Sequence, residues 1–336
     1  MHSLHNTDLS NAEVFEAARP GGTARAVERA MRGGPVPRVS VCVPTYNSAD
    51  SIERCVTSVL EQSFGDFECL VVDNASTDNT LEVLRRFDDP RLRVVRNDTN
   101  IGMTGNHNKL IALARGELIQ FVHSDDWLLK PCLRTLETAF DSPRVGLAFA
   151  RRRVDTFDAE WRAKYATLHG PLEPMESIID GQRILRRYVD AGADGNWIGE
   201  PTSVMVRTRL LRDIGGFRAD MRQFDDIDTW LRVLARSDAG WFDTELSVRW
   251  QHEGTDTVAN LHSDAAWLDR AWLVAGLARN PHVATSTRLR ALPLWFKELL
   301  VAVREIWRAP AATRGARSAQ LLRHLRSTVM HGPDLH

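Results

Sequence analysis

From Arg38 onward the apolar residues alternate between two rhythms. Val39-Ser-Val-Cys-Val43 is a compact run of strand-forming residues stopped by Pro44, and a helix-period segment over 51–62 follows, with Asp50 or Ser51 at its N-cap. The alternation then repeats, with strands over 67–72, 92–96, 117–122 and 145–150 and helices over 78–87, 105–114 and 131–140. Strands separated by helices of about ten residues predict a parallel sheet wrapped by helices. Ligands of such sheets gather where strands end, which singles out the residues after Val43, Val72 and Val122.

The flanks read differently. Residues 1–37 lack apolar periodicity and close on Gly33, Gly34, Pro35 and Pro37, which predicts a flexible leader with one weak helix over 12–18. The stretch 151–200 is less regular, interrupted by Gly170-Pro171, Pro174 and 192–195. A strand over 202–206, a helical turn ending in Gly215-Gly216-Phe217, a helix over 223–236 and a strand pair or ribbon over 240–250 follow. From about 262 the chain is helical, rich in Trp, Leu and Arg, and punctuated by Pro281, Pro293 and Pro310. The pattern divides the chain into a leader (1–37), an α/β domain (38–260, in halves 38–150 and 151–260) and a helical extension (261–336).

Composition narrows the classes. With 43% apolar and 26% charged residues over 336 positions, the chain can bury a core, which excludes wholesale disorder, a collagen-like repeat and a disulfide miniprotein. A net charge of −1 argues against an overall nucleic-acid binder. That balance is a cancellation: residues 285–336 carry nine basic and three acidic residues, and residues 39–284 carry −8. Cys42, Cys55, Cys69 and Cys132 have no paired spacing and read as small buried hydrophobes in a reducing compartment. The acid-bearing N-terminus and the lack of any apolar run near ~18 residues lead us to expect a soluble, cytoplasmic chain.

Three strand ends carry chemistry. Asp73 follows two valines and should reach the sheet's rim, where it can hydrogen-bond a nucleobase or ribose; capping the next helix is the alternative. Asp125 and Asp126 close the strand over 117–122. Two adjacent carboxylates call for a positive partner, and Mg²⁺ or Mn²⁺ suits their hard oxygens; a solvated turn is the alternative. Asp225 and Asp226 open a helix, where a carboxylate can serve as general base or simply complement the helix dipole. His252 ends a strand and can reach a metal or phosphate, or be structural. No Gly-x-Gly-x-x-Gly follows the first strand, and no Walker or Gly-x-Ser-x-Gly motif occurs. A dehydrogenase, a P-loop NTPase and an α/β-hydrolase are therefore disfavoured.

The ordered set resembles the family 2 glycosyltransferases of GT-A fold. The resemblance rests on Val39-Ser-Val-Cys-Val-Pro-Thr-Tyr-Asn47, Val72-Asp-Asn-Ala-Ser-Thr-Asp78, Asn100-Ile-Gly-Met-Thr-Gly-Asn-His-Asn108 and Ala114-Arg-Gly-Glu-Leu-Ile-Gln-Phe-Val-His-Ser-Asp-Asp126. It continues through Ile198–Arg207, Gly215-Gly-Phe217, Asp225-Asp-Ile-Asp-Thr-Trp-Leu-Arg232 and Arg249-Trp-Gln-His252, covering about residues 38–255. It implies a GT-A-type nucleotide-diphospho-sugar transferase fold, a mostly parallel sheet with a helical C-terminal extension, its halves binding nucleotide and acceptor. By the same resemblance Pro44, Thr45, Tyr46, Asn47 and Asp73 line the nucleotide pocket, Asn100, Gly102 and Asn108 shape the ribose–diphosphate loop, and Asp125 approaches the sugar or ribose. Asp126 and His252 hold the metal, Glu200 and Trp230 lie on the acceptor side, and Asp226 is the base, with Asp225 where Glu is usual.

Three departures stand out: His123 replaces the first Asp of the DxD-like run, Asn74-Ala75 replaces Asp-Gly, and Asp225 is a methylene short. The implied reaction is inverting transfer of a sugar from a nucleotide-diphosphate donor to a hydroxyl of a glycan or lipid-linked acceptor, in bacterial-type polysaccharide synthesis. The cation offsets charge on the departing diphosphate, and the acidic body makes it the more needed. A sugar nucleotidyltransferase and a non-catalytic nucleotide-sugar binding module are the alternatives. The Trp- and Arg-bearing helix over 292–306 suits either peripheral contact with the inner face of a membrane or packing against the catalytic domain or a second subunit.

Overall fold

The computed structural model describes residues 14–16, 36–156, 168–251 and 266–308, with isolated residues at 159, 162 and between 312 and 325. Where a helix is expected over 12–18, Val14–Glu16 (β1) runs as a strand, antiparallel to β4 (Leu92–Arg96). Three residues of Val-Phe-Glu gain more from ladder hydrogen bonds on an open sheet edge than from a helix too short to nucleate.

The predicted alternation is realised. β2 (Val39–Thr45) lies between β3 (Phe67–Asp73) and β5 (Leu118–Phe121), parallel to both, and β3 pairs parallel with β4. Strands buried on both faces need apolar runs without alternation, and all seven residues of β3 are buried. Because β3 lies on one side of β2 and β5 on the other, the strand order reverses at β2. A crevice opens there at the carboxyl ends.

Beyond β5 the sheet departs from a simple parallel pattern. β6 (Trp127–Leu128) is a short strand, and β7 (Val145–Thr156) is twice its expected length. β8 is Ile178–Ile179. β9 (Val204–Arg207) starts after a 3₁₀ turn at Pro201–Ser203 and lies antiparallel between β5 and β7. In place of a ribbon over 240–250, β10 (Asp238–Gln251) is one long strand parallel to β7, with register shifts between Phe242 and Ser247. β6 and β8 pair antiparallel with β10. The sheet is thus mixed, in the order β1-β4-β3-β2-β5-β9-β7-β10-β6.

Helices cover both faces. α1 (Ile52–Leu60), α2 (Thr80–Leu84) and α4 (Cys132–Glu137) close one core, in which Val41, Val43, Val56, Val59 and Leu133 meet. α3 (Gly102–Leu113), α5 (Gly181–Asp190), α6 (Thr208–Asp213) and α7 (Asp225–Leu234) close the other. α8 (Ala266–Arg279) and α9 (Thr285–Arg308) join that second core through Leu273, Leu277 and Ala302. The extension therefore shares a core with Trp230, Phe121 and Phe149. Each such buried side chain contributes about 2 kcal/mol. Pro293 was expected to break the last helix, yet α9 runs through it. Pro293 is exposed, so the one backbone bond it removes lies on the outer face.

All four cysteines are buried free thiols. Burial pushes each thiol up, out of the reactive range.

Candidate functional site

The register that pairs Thr45 with Asp73 sets the first wall of the crevice. Asp73 is fully buried; its Oδ2 accepts the Ser76 N–H at 3.2 Å and lies 3.5 Å from Arg96 Nε. Among the described residues its Oδ1 has no hydrogen-bond partner, and neither does Thr45 Oγ1. Two buried, adjacent, unsatisfied oxygens are costly unless a ligand donor meets them. Helix capping, the alternative role for Asp73, falls instead to Asp78, whose Oδ1 accepts the Thr80 N–H.

The rim around Asp73 is held by asparagines. Asn47 takes φ 50° and its Oδ1 accepts the Thr77 N–H, while Ala75 takes φ 62°. The latter is the left-handed turn for which Gly would be the unstrained choice. Asn74 donates to Asn100 Oδ1 and Gly102 O, accepts from Asn97 and the Ile101 N–H, and Asn97 in turn donates to Asn106. Asn100 and Gly102 (φ 78°) thus shape the turn into α3. Tyr46 is half exposed at its mouth.

Asn108 sits elsewhere. Its amide donates to Phe217 O at 2.9 Å and accepts the Phe217 N–H at 2.8 Å, a reciprocal clamp on the Gly215-Gly216-Phe217 turn. Gly216 is required there: its φ is 71° and a Cβ would fall 2.3 Å from Asn108 Oδ1. Asn108 fastens α3 to the segment ahead of α7 rather than lining the diphosphate loop.

After β5 the two carboxylates part company. Asp126 is buried, its Oδ2 accepting the Thr202 hydroxyl at 2.6 Å and its Oδ1 the Trp250 N–H at 2.9 Å. It therefore ties β5, the 201–203 turn and β10 together. Burial, then the neighbouring charges of Asp125 and Glu200, push its carboxyl well above the usual range. Each of its oxygens keeps a second lone pair, so these two hydrogen bonds leave Asp126 able to join a cation's shell. Asp125 is half buried, and Arg54 donates to its backbone carbonyl while stacking 3.8 Å over the Trp127 ring.

Among the described residues no three His, Cys, Asp or Glu side chains gather as a metal site. His252 lies outside the described residues. The adjacent carboxylates of Asp125 and Asp126 are hard oxygen donors of the kind that suit Mg²⁺ or Mn²⁺. His123, which displaces the usual first Asp, instead faces His107, with Nε2 atoms 3.3 Å apart. Burial, with His123 next in weight, drives His107 down to about 3, so it is neutral.

Glu200 precedes the 3₁₀ turn that leads into β9. Gly199 takes φ 121°, where a Cβ would strike Ser203, and it accepts from the Trp230 indole at 2.9 Å. Trp230 is fully buried, so it anchors the 196–203 turn instead of offering a surface to an acceptor. Glu200 accepts from Arg152 Nε at 2.5 Å and lies 3.9 Å from Arg249. Burial opposes its ionisation, but the two guanidiniums hold it down at about 2. Its charge in turn bears on both Asp126 and Asp226.

At the start of α7, burial and then Asp225 push Asp226 well above the usual carboxylate range, with Glu200 adding repulsion and Arg249 opposing it. Burial also carries Asp225 up to about 6, the Asp226 N–H holding it back while Asp269 and Asp228 repel it. The turn that aims this pair is held from α8: Asp269 Oδ2 accepts the N–H groups of Arg222, Gln223 and Phe224. Asp269 and Thr202 were missed in the sequence. Thr202 read as a strand residue, and Asp269 lies past the last motif; only an isolated acid at the head of an apolar helix marked it.

Comparison with known proteins shows the family and the fold. The profile of Glycosyl transferase family 2 matches residues 40–210. An uncharacterized protein of Mycobacterium tuberculosis, MT1568, is 40% identical over 270 residues, spanning 80% of this chain and 85% of its own. TuaG of Bacillus subtilis, named for a glycosyltransferase of teichuronic acid biosynthesis, is 41% identical over 202 residues, 60% of this chain and 73% of its own. Among solved structures, Staphylococcus aureus TarS 1–349 with UDP-GlcNAc superposes with a TM-score of 0.53 at 20% identity, covering 87% of this chain and 90% of that one. A mannosyltransferase of Pyrobaculum calidifontis with GDP-Man and Mn²⁺ gives 0.52 at 21% identity, covering 91% and 93%. At such identities the likeness is one of fold.

Proposed function

The chain belongs to glycosyl transferase family 2, and from that premise we propose that it moves a sugar from a nucleotide-diphosphate donor to an acceptor hydroxyl by a single inverting displacement. The observation that supports the reading best is the turn at 200–203: Thr202 donates to Asp126 at 2.6 Å while Glu200 pairs with Arg152 and Arg249, and the charge of Glu200 bears on Asp226 at the head of α7.

Asp73 and Thr45 would receive the nucleoside's donors on their unsatisfied oxygens. Asp226 would take the proton of the acceptor hydroxyl as that oxygen attacks the anomeric carbon opposite the diphosphate. A carboxylate pushed up by burial and a like charge is a stronger base than one in water. Glu200, kept ionised by Arg152 and Arg249, faces the acceptor side. A Mg²⁺ or Mn²⁺ ion would be held at the Asp125–Asp126 pair, by Asp126 and, outside the described residues, His252, and would supply positive charge to the departing diphosphate. The named roles of TuaG in teichuronic acid synthesis and of relatives such as the glucosyltransferase WfgD of Escherichia coli, which acts on a diphosphoundecaprenol acceptor, make a glycan or lipid-linked acceptor the class to screen. The chain would then work in the cytoplasm at the inner face of a membrane.

The test is release of nucleoside diphosphate from a panel of nucleotide sugars, with and without Asp226→Asn. Release that requires Asp226 supports transfer. Pyrophosphate release from a nucleoside triphosphate would identify a nucleotidyltransferase instead, and binding without release a non-catalytic module.

A further inference from the structure

Helix α9 has two outward rows besides its buried face. Thr287, Ala291, Glu298, Ala302 and Ile306 point inward. On the outside, Leu289, Leu292, Phe296, Leu300, Val303 and Trp307 are all exposed, Leu300 by 73% and Trp307 by 72%. Their spacing of three or four residues confines them to about 80° of the helix circumference. Alongside, Arg290, Lys297, Arg304 and Arg308 form a second row with each side chain more than half exposed. An apolar stripe of this length is unusual on a soluble surface.

We propose that this face of α9 lies flat on an anionic lipid surface, the apolar row entering the headgroup–acyl boundary and the basic row pairing with lipid phosphates. Charge selects this occupant. α9 carries five basic and two acidic residues, and its acids are already engaged: Glu298 is buried against Arg270, and Glu305 is shared by Arg304 and Arg308. A second copy seated on the stripe would bring a like-charged row with no spare carboxylate on α9 to meet it, whereas anionic headgroups complement both rows. The inward anchor makes the surface rigid, since α9 packs on α8 and on the core that holds Trp230. The proposal deepens the reading above by naming the surface on which the enzyme meets its acceptor, and rests on that reading for the acceptor alone.

The experiment is flotation of the full-length chain with vesicles of phosphatidylcholine, with and without phosphatidylglycerol. The chain should float with the anionic vesicles and not with phosphatidylcholine alone. Two variants on exposed positions, Leu300→Ser/Trp307→Ser and Lys297→Glu/Arg304→Glu, should each weaken binding at least tenfold while diphosphate release with a water-soluble acceptor is kept. Absence of flotation by the wild-type chain, equal flotation of both variants, or a dimer in light scattering that the apolar variant splits would overturn the proposal. A wild-type chain that floats with anionic vesicles but releases no nucleoside diphosphate from any nucleotide sugar would support the lipid contact and count against the glycosyl-transfer reading.

Discussion

Asp269, on α8, accepts the backbone N–H of Gln223 at 2.7 Å, three residues ahead of the proposed base. The same oxygen also accepts from Arg222 and Phe224, so a single carboxylate in the C-terminal region sets the entry of α7 and the aim of Asp225 and Asp226. Asp269→Ala leaves three donors unmet, at about 1–3 kcal/mol for a buried unsatisfied group. It should lower kcat by tenfold or more with little change in KM for the donor. Asp269→Asn keeps an acceptor oxygen and should lose less. Denaturant melts and initial rates measure both.

The adjacent carboxylates after β5 should separate cleanly. Asp126→Ala removes two buried hydrogen bonds that join β5, the 201–203 turn and β10, and should cost about 2–3 kcal/mol of stability. Asp125→Asn should leave stability within about 0.5 kcal/mol and instead depress transfer and its response to added Mn²⁺. Melting curves alongside Mn²⁺ titrations distinguish them.

Transfer should fade as pH falls, because a general base works only when deprotonated. Burial carries Asp225 up to about 6 and pushes Asp226 well above the usual carboxylate range, so the acid limb of kcat/KM should lie well above that of a free carboxylate. Asp225 repels the charge on Asp226, so Asp225→Asn should move that limb to lower pH. Glu200, held at about 2, stays ionised across this range. A pH–rate profile of both proteins reads the shift.

Much of this was legible along the chain, for local reasons. Apolar runs stopped by Pro44 and Asp73 marked the strand ends because a parallel strand must be apolar on both faces. What sequence did not disclose depends on partners far away in the chain. Which of Asp125 and Asp126 turns inward is decided by Thr202 and Trp250, 76 and 124 residues beyond Asp126. The insertion of β9 between β5 and β7 is a matter of register, and the clamp of Asn108 on Phe217 joins residues 109 apart in the chain. Pro293 misled because a helix packed along its length tolerates one lost bond on its exposed side.

Gly276 offers a check on the packing of α8. It sits in the helix interior beside a cavity of about 490 Å³ lined by Phe217, Leu231, Leu273 and Leu277, and a Cβ there would meet nothing within 4 Å. Gly276→Ala should therefore stabilise the protein by about 0.5–1 kcal/mol, from helix propensity alone. Thermal unfolding measures it.

The central claim is that Asp226 is the base of a glycosyl transfer, and the rate of nucleoside diphosphate release in the presence of acceptor tests it most directly. With the donor identified from a nucleotide-sugar panel, Asp226→Asn should bind that donor with unchanged affinity and release diphosphate about 10²–10⁴-fold more slowly. Release at the wild-type rate by Asp226→Asn would contradict the account.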